Sequence, residues 1–240
     1  MPSAHYTGAT RRLKNLHGFF CGTDVAIGYN RNSCASNGVG HSPTKTGLPF
    51  HGEAAMLDDT YLTGKVSLDS HPFVEHFKFV KALEDENTVA KLTIPAPAQF
   101  IEQMIMPFAL ENTRKYYADN RELAEDIAAG YKKFIADVYA AGCRNLQFDD
   151  CSWGMLVDPM ACMYFGTDEK GLEAIKEQLL ELNNAAISGK PDDLVINTHV
   201  CRGNFHSTYA NSGAYDGVAQ TLLARENVNA YYLEFDDARS

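Results

Sequence analysis

A regular alternation of apolar and polar positions begins near residue 66 and continues to the end of the chain. A short apolar run, KVSLDS, precedes an amphipathic segment, PFVEHFKFVKAL, and a second apolar run, VAKLTIPAP, ends in prolines. Short apolar runs bounded by turn residues favour strands, and apolar spacings of three or four residues favour helices. The pattern therefore predicts a strand, a helix and a second strand.

The clearest helix prediction falls on DNRELAEDIAAGYKKFIADVYAAG. Apolar residues recur there at steps of three or four, at Leu123, Ile127, Tyr131, Phe134 and Val138. This spacing places them on one face of a helix, and Gly142 supplies a stop signal behind them.

Strands and helices then alternate to the end of the chain. CRNLQFDD, DDLVINTHVC and NAYYLEFDD have the pattern of strands, whereas TDEKGLEAIKEQLLELNNAAISG, with Thr167 as the predicted N-cap, and YDGVAQTLLAREN have the pattern of helices. Alternating units of this kind indicate an α/β fold with a parallel sheet, either an open doubly wound sheet or a closed eight-stranded barrel.

Residues 1–65 have no sustained periodicity, and Gly, Asn, Ser and His are interleaved there. We expect a loop-rich segment, either a surface excursion with a hairpin or a loop that folds over an active site. With this segment, residues 1–240 are expected to form one barrel-type domain or a fragment of it.

Composition and charge exclude several classes of function. The chain is 45% hydrophobic and 22% charged, with a formal net charge of −10 and no run of Lys or Arg, so no nucleic-acid partner is expected. The sequence also lacks an apolar stretch long enough to span a membrane and the layout of a signal peptide, which predicts a cytoplasmic protein without a membrane partner. The six cysteines are therefore expected to be free thiols or metal ligands.

Three successive predicted strands end in metal-capable or acidic residues. His199 and Cys201 follow one strand and Glu234 lies in the next. Residues two apart on a strand project to the same face, and thiolate with imidazole favours zinc. These three residues are the candidate metal ligands, and the alternative is a buried cysteine beside a hydrogen-bonded histidine.

The third strand end carries Asp149 and Asp150, with Trp153 just beyond. One carboxylate of the pair is expected to cap the following loop and the other to face the pocket, where it could orient a substrate ammonium or act as a base. Trp153 could stack on a flat substrate ring or anchor the loop in the core. All three are candidate substrate-binding residues.

NLQFDDCSW, INTHVCRGNF and YYLEFDDARS resemble the strand ends of the catalytic domain of cobalamin-independent methionine synthase and its shorter single-domain relatives, over roughly residues 66–240. The resemblance implies a TIM-type (β/α)8 barrel and a Zn²⁺ ion held by His199, Cys201, Glu234 and a further Cys that would lie beyond Ser240. It also implies that Asp149 engages the amino group of homocysteine.

The same resemblance implies an S-methyltransferase of methionine biosynthesis. Zinc would activate the homocysteine thiol, which attacks the methyl group of a methylated folate or another donor to give methionine. The sequence departs from the larger synthases at Asp150, where they have Glu, and at Cys151, where they have Pro.

About five of the eight βα units of the barrel are predicted in this chain. An incomplete barrel leaves strand edges unpaired, which favours self-association. Two other functions fit the same pattern: a truncated, non-catalytic barrel module, and a zinc-dependent barrel hydrolase in which Asp149 or Asp150 is the base. Cys201 counts against the hydrolase, because such enzymes generally use His and carboxylate ligands.

Overall fold

The computed structural model describes residues 36–43, 48–50, 53–55, 58–203 and 207–238, and its centre is a four-stranded parallel sheet. In order across the sheet, its strands are β5 (Leu92–Pro95), β6 (Asn145–Asp149), β7 (Val195–Val200) and β8 (Ala230–Leu233). The earlier strands form two antiparallel pairs, β1 (Ser36–Pro43) with β4 (Asp58–Leu68) and β2 (Leu48–Phe50) with β3 (Glu53–Ala55).

One helix, α1 (Phe73–Lys81), precedes the parallel sheet, and the others occupy the connections between its strands. These others are α2 (Pro97–Ile105), α3 (Pro107–Thr113), α4 (Asn120–Ala140), α5 (Ser152–Leu156), α6 (Ala161–Phe165), α7 (Glu169–Ile187) and α8 (Asp216–Val218), which continues as a π-helical turn, Ala219–Leu223. The two long helices, α4 and α7, pack against each other. No helix in the described part of the chain has the length and apolar character needed to cross a membrane.

The ends of α4 follow from local chemistry. The Asp119 carboxylate accepts a hydrogen bond from the Glu122 N–H at 3.0 Å, which satisfies one of the free donors of the first turn. At the other end Gly142 has a φ of +99°, a conformation that favours glycine. The five apolar residues expected on one face of this helix are all buried.

The N-cap of α7 differs from the predicted one. Asp168 rather than Thr167 has the extended backbone of an N-cap, and its carboxylate accepts from the Gly171 N–H at 2.8 Å. The N-cap therefore lies one residue later than predicted. The helix starts at Glu169, so the side chain that reaches the free N–H groups is the one directly before it.

Side chains alternate across the parallel sheet. Leu146, Phe148 and Ile196 are fully buried under the helices, together with Tyr131, whose hydroxyl donates to the Pro95 carbonyl at 2.8 Å. The other face carries polar side chains that are only partly covered, including Gln147, Asp149, His199 and Tyr232. One face of the sheet therefore makes the core, and the other is available for chemistry.

The register aligns the carboxyl ends of the four strands. Asp149 pairs with Pro95 on one side and His199 on the other, and His199 pairs in turn with Tyr232. Because parallel strands in register end together, the polar residues that follow them meet at a single edge of the sheet.

The α/β class and the parallel sheet are confirmed. One predicted unit differs: KVSLDS contributes its first residues to β4, which pairs antiparallel with β1 and lies outside the parallel sheet. The closed eight-stranded barrel and the single-domain boundary stay predictions. In the segment expected to be loop-rich, the described residues form strands β1 to β3 and part of β4, and the others lie outside the described ranges.

Candidate metal centre

Two neighbouring strands bring His199, Cys201 and Glu234 together. His199 lies in β7, Cys201 follows that strand directly, and Glu234 follows β8. One ligand-type atom from each residue lies within 4.8 Å of the other two, and His199 Nε2 is 3.8 Å from Glu234 Oε1. The three residues that the sequence singled out therefore converge.

The imidazole of His199 is oriented by the neighbouring strand. Its Nδ1 lies 2.8 Å from the Tyr232 carbonyl oxygen, which can only accept, so Nδ1 carries the proton and donates. This arrangement leaves a lone pair on Nε2, which lies 3.8 Å from Glu234 Oε1. A backbone carbonyl that fixes the tautomer in this way is the usual outer partner of a metal-binding histidine.

The carboxylate and thiol also have backbone partners. Glu234 Oε2 accepts from the Arg202 N–H at 3.3 Å, and Cys201 Sγ accepts from the Gly203 N–H at 3.3 Å. These N–H donors stabilise negative charge on both groups. Cys201 is 1% exposed, so its sulfur is shielded from bulk water, whereas the His199 and Glu234 side chains keep some exposure.

Electrostatics couples His199 to its neighbours. Burial by itself lowers the pKa of this imidazole, but the hydrogen bond and charge of Cys201, the charge of Asp149 and the Tyr232 carbonyl outweigh burial and raise the pKa above its ordinary value. The site is thus a place where negative groups gather around one imidazole. Negative groups that lie close together repel one another, and a bound cation would attract all of them.

The donor set fits zinc. It combines one imidazole, one thiolate and one carboxylate, all donor types that Zn²⁺ accepts, and three protein ligands leave a fourth position open, as catalytic zinc sites do. Magnesium and calcium prefer all-oxygen shells, so the buried sulfur of Cys201 disfavours them.

Asp149 and Asp150 point to opposite sides of the sheet. The Asp149 carboxylate accepts from Gln147 Nε2 at 3.0 Å on the partly covered face, in register with His199. Asp150 is fully buried and accepts from Trp153 Nε1 at 2.9 Å and Asn183 Nδ2 at 2.8 Å. The two carboxylates thus lie on opposite faces of the sheet, with Asp149 on the face of the candidate metal ligands and Asp150 in the core rather than facing outward.

Trp153 is also fully buried, on α5. Its indole N–H is used by Asp150, as the requirement for a partner on a buried tryptophan predicts. This placement matches the interpretation of Trp153 as a core anchor. Substrate contact by Asp150 and Trp153 stays a prediction, with no exposed surface in this structure to support it.

A set of buried acidic residues lies behind the sheet edge, and this set was not predicted from the sequence. Asn183 Nδ2 donates at 2.8 Å to both Asp150 and Glu226, while Glu102 accepts from the Ser152 hydroxyl at 3.0 Å. Burial raises the pKa of Glu102 and of Glu226 to about 8 and that of Asp150 to about 6. We call Glu102, Asp150 and Glu226 the buried carboxyl cluster.

Two further residues, Arg202 and Tyr215, lie beside the candidate ligands and were not predicted from the sequence. The Arg202 side chain is fully buried, its guanidinium lies 4.3 Å from the centre of the Tyr215 ring, and it donates to the Gly213 carbonyl at 2.7 Å. The Tyr215 hydroxyl in turn donates to the Glu234 carbonyl at 3.2 Å. Arg202 and Tyr215 thus connect the two ligand-bearing segments. Only the position of Arg202 next to Cys201 could have signalled this role.

Comparison with known proteins finds relatives in Bacillus subtilis. The chain is 38% identical over 81% of its length to the uncharacterized protein YxjH of Bacillus subtilis, and 31% identical over 85% to the uncharacterized YxjG of the same organism. It spans about half the length of these curated relatives, 50% and 52%. No protein-family model matches the chain.

A solved structure extends the comparison to the fold. A Listeria monocytogenes protein, provisionally assigned as a vitamin-B12-independent methionine synthase, aligns with a TM-score of 0.56 and 35% identity. The alignment covers 74% of this chain and 49% of the Listeria chain. The similarity in sequence and fold thus supports the cobalamin-independent methionine synthase family, with this chain matching about half of such a protein.

Proposed function

We propose that this chain is part of the catalytic domain of a zinc-dependent S-methyltransferase of the cobalamin-independent methionine synthase type. The reaction is transfer of a methyl group from a methylated folate, or a similar donor, to the thiol of homocysteine to give methionine. The convergence of His199, Cys201 and Glu234 at one sheet edge carries this proposal. The similarity to the Listeria protein supports the reaction class.

His199, Cys201 and Glu234 would hold the metal. When bound, zinc supplies a Lewis acid that lowers the pKa of a substrate thiol, so that the nucleophilic thiolate exists at neutral pH. The protein's own part is orientation: the Tyr232 carbonyl fixes the His199 ring, and the Arg202 N–H holds the Glu234 carboxylate. Both contacts are already formed in this structure.

Asp149 is our candidate for the substrate ammonium. Its carboxylate lies on the same face as His199 and in register with it, and the Gln147 amide holds one of its oxygens. A carboxylate beside a thiol-binding metal would place an amino acid with its sulfur at the metal and its ammonium at Asp149. Homocysteine carries both groups, a thiol at one end of a short chain and an ammonium at the other.

The first test is zinc content per chain by elemental analysis. The comparison is between the reduced protein, a Cys201→Ser variant and a Cys162→Ser variant. Cys162 is a partly exposed thiol on α6, so its loss removes a sulfur without removing a proposed ligand. We expect near-stoichiometric zinc in the parent chain and in Cys162→Ser, and little in Cys201→Ser.

Circular dichroism of all three proteins would establish that the variants are folded. Zinc that is absent from the parent chain, or retained in a folded Cys201→Ser variant, contradicts the proposed site. Formation of methionine from homocysteine and a methylated folate, lost together with zinc, is the expected result for the reaction itself.

A further inference from the structure

Cys151 and Cys201 lie at equivalent positions just beyond the ends of two neighbouring strands, β6 and β7. Each lies two residues beyond a paired position, because Asp149 and His199 are register partners at the ends of β6 and β7. Pairing extends one residue further, since the Asp150 N–H donates to the His199 carbonyl at 2.8 Å. The strand ends that lead into the two cysteines are thus held about 4.8 Å apart, which is within the range of about 4.4–6.8 Å between the Cα atoms of a disulfide.

The two thiols are in contact. The Cys151 side chain is hydrogen-bonded to that of Cys201, and neither cysteine is part of a disulfide. The Gly203 N–H also donates to the Cys201 sulfur. Cys201 is thus the sulfur on which donors converge, and Cys151 is its S–H neighbour.

The backbone holds this approach in place. A Cβ on Gly154 would lie 2.5 Å from the Cys201 carbonyl oxygen, so α5 packs directly against the segment that carries Cys201. Only glycine allows this separation. Cys151 immediately precedes α5, so this close packing also constrains the backbone of Cys151 relative to the segment that carries Cys201.

We propose that Cys151 is a resolving cysteine for Cys201, and that the two form a reversible disulfide when the protein meets a hydroperoxide. In the first step the Cys201 thiolate attacks one peroxide oxygen and the O–O bond breaks, which gives a sulfenic acid and hydroxide. In the second step the Cys151 sulfur attacks the Cys201 sulfur, and the sulfenic hydroxyl leaves as water with the thiol proton. Two thiols and one hydrogen peroxide thus give one disulfide and two waters.

The buried position of Cys201 favours a small oxidant such as hydrogen peroxide over a bulky disulfide. Without a neighbouring thiol, a sulfenic acid is open to further oxidation to the sulfinic acid, which thiol reductants do not reverse. The functional consequence rests on the proposed function: a disulfide removes Cys201 from the zinc ligands, and its reduction restores them. The disulfide chemistry does not depend on zinc.

The test is treatment of the zinc-free, folded chain with hydrogen peroxide, followed by peptide mass spectrometry with and without dithiothreitol. The proteins compared are the parent chain, Cys151→Ser and, as the matched control, Cys162→Ser. We expect a peptide cross-linked through Cys151 and Cys201 in the parent and in Cys162→Ser, with full recovery of thiols after reduction. Cys151→Ser should instead accumulate sulfinic acid at Cys201, several-fold faster than the parent.

Absence of the cross-linked peptide from the parent overturns the proposal, and so does equal formation of sulfinic acid at Cys201 with and without Cys151. A repeat with the zinc-loaded parent separates this proposal from the proposed function. If Cys201 binds zinc, the metal should slow formation of the disulfide several-fold. Equal rates alongside a normal disulfide would count against the zinc site and leave the resolving role of Cys151 intact.

Discussion

Two groups of acidic and polar side chains lie close together around the ends of β6, β7 and β8, and they differ in how their polar atoms are satisfied. At the candidate metal centre, His199, Cys201 and Glu234 have backbone partners and also direct one ligand-type atom each toward one another. In the buried carboxyl cluster, Ser152, Asn183 and other donors reach the carboxyl groups.

The difference separates function from architecture. A set of negative groups around a partly exposed point is a ligand site, whereas carboxyl groups that are sealed and hydrogen-bonded to amide and hydroxyl donors hold elements together. Asp149 and Asp150 show how little separates the two, since adjacent residues at a strand end go to opposite faces. The comparison predicts that substitutions in one group affect metal binding and substitutions in the other affect stability.

The largest expected effect is on metal binding, from His199→Ala. Removal of a ligand should exceed the roughly 10- to 100-fold loss in affinity that follows removal of an outer partner of a metal ligand. A competition titration of zinc against a chromophoric chelator measures this loss. The free energy of unfolding of the zinc-free chain should change by no more than about 1 kcal/mol, because the Tyr232 carbonyl that accepts from His199 belongs to an exposed residue. A much larger loss would place His199 in the architecture instead.

The next effect is on stability, from Asn183→Ala. Asn183 donates to Asp150 and Glu226, and its carbonyl accepts from the Ala98 N–H at 2.9 Å. Three buried groups lose a partner, so we expect the free energy of unfolding in urea to fall by about 3 kcal/mol. Zinc content should be unchanged.

Asn184→Ala is the control for that variant. Asn184 is adjacent in sequence and forms exposed hydrogen bonds with the Arg225 carbonyl and the Asn227 N–H. Asn184→Ala should therefore lower the free energy of unfolding clearly less than Asn183→Ala does. Equal destabilisation by the two substitutions would contradict the role assigned to the cluster.

A smaller effect concerns pH. The pKa of Glu102 is raised to about 8 because burial disfavours its charged form, against 4.5 in an exposed glutamate. The folded protein thus binds more protons than the unfolded chain between these values, so stability is greatest below about pH 4.5 for this group and falls as the pH rises through about 8. Glu102→Gln should reduce the loss of thermal stability between about pH 5 and pH 9.

An exposed residue provides the matched control for the pH experiment. Glu86→Gln, in the exposed segment after α1, should keep the parent's pH dependence. If Glu102→Gln and Glu86→Gln follow the same curve as the parent, the carboxyl of Glu102 is ionised in the folded protein and the interpretation of the cluster fails.

The smallest effect lies far from both groups, at the start of α7. Asp168→Ala removes the side chain that caps the Gly171 N–H and should lower the free energy of unfolding by about 1 kcal/mol. Thr167→Ala should cost less, because the Thr167 side chain is not the cap. Chemical denaturation of both variants measures the difference, and the reverse order would restore the N-cap predicted from the sequence.

How much the sequence predicts differs between elements for physical reasons. The buried face of α4, and the projection of His199 and Cys201 to the same side of their segment, follow from periodicity, which is local. The short helices α5 and α6 escaped prediction, since a segment of five residues has too few turns to display a period. The segment KVSLDS was predicted as a strand from its residues, but its antiparallel partner lies about 30 positions earlier in the chain and leaves no mark on the segment itself.

By itself, the sequence determined the α/β alternation, the candidate ligands His199, Cys201 and Glu234, and the presence of a carboxylate pair after β6. Spacing along the chain carries this information, because side-chain direction within one element repeats with a fixed period. Only the tertiary structure decided that Glu234 meets the other two ligands, that Asp150 and Trp153 are buried, and that Cys151 touches Cys201. Those relations depend on the register between strands that are far apart in the chain, and register is set by the packing of the whole sheet.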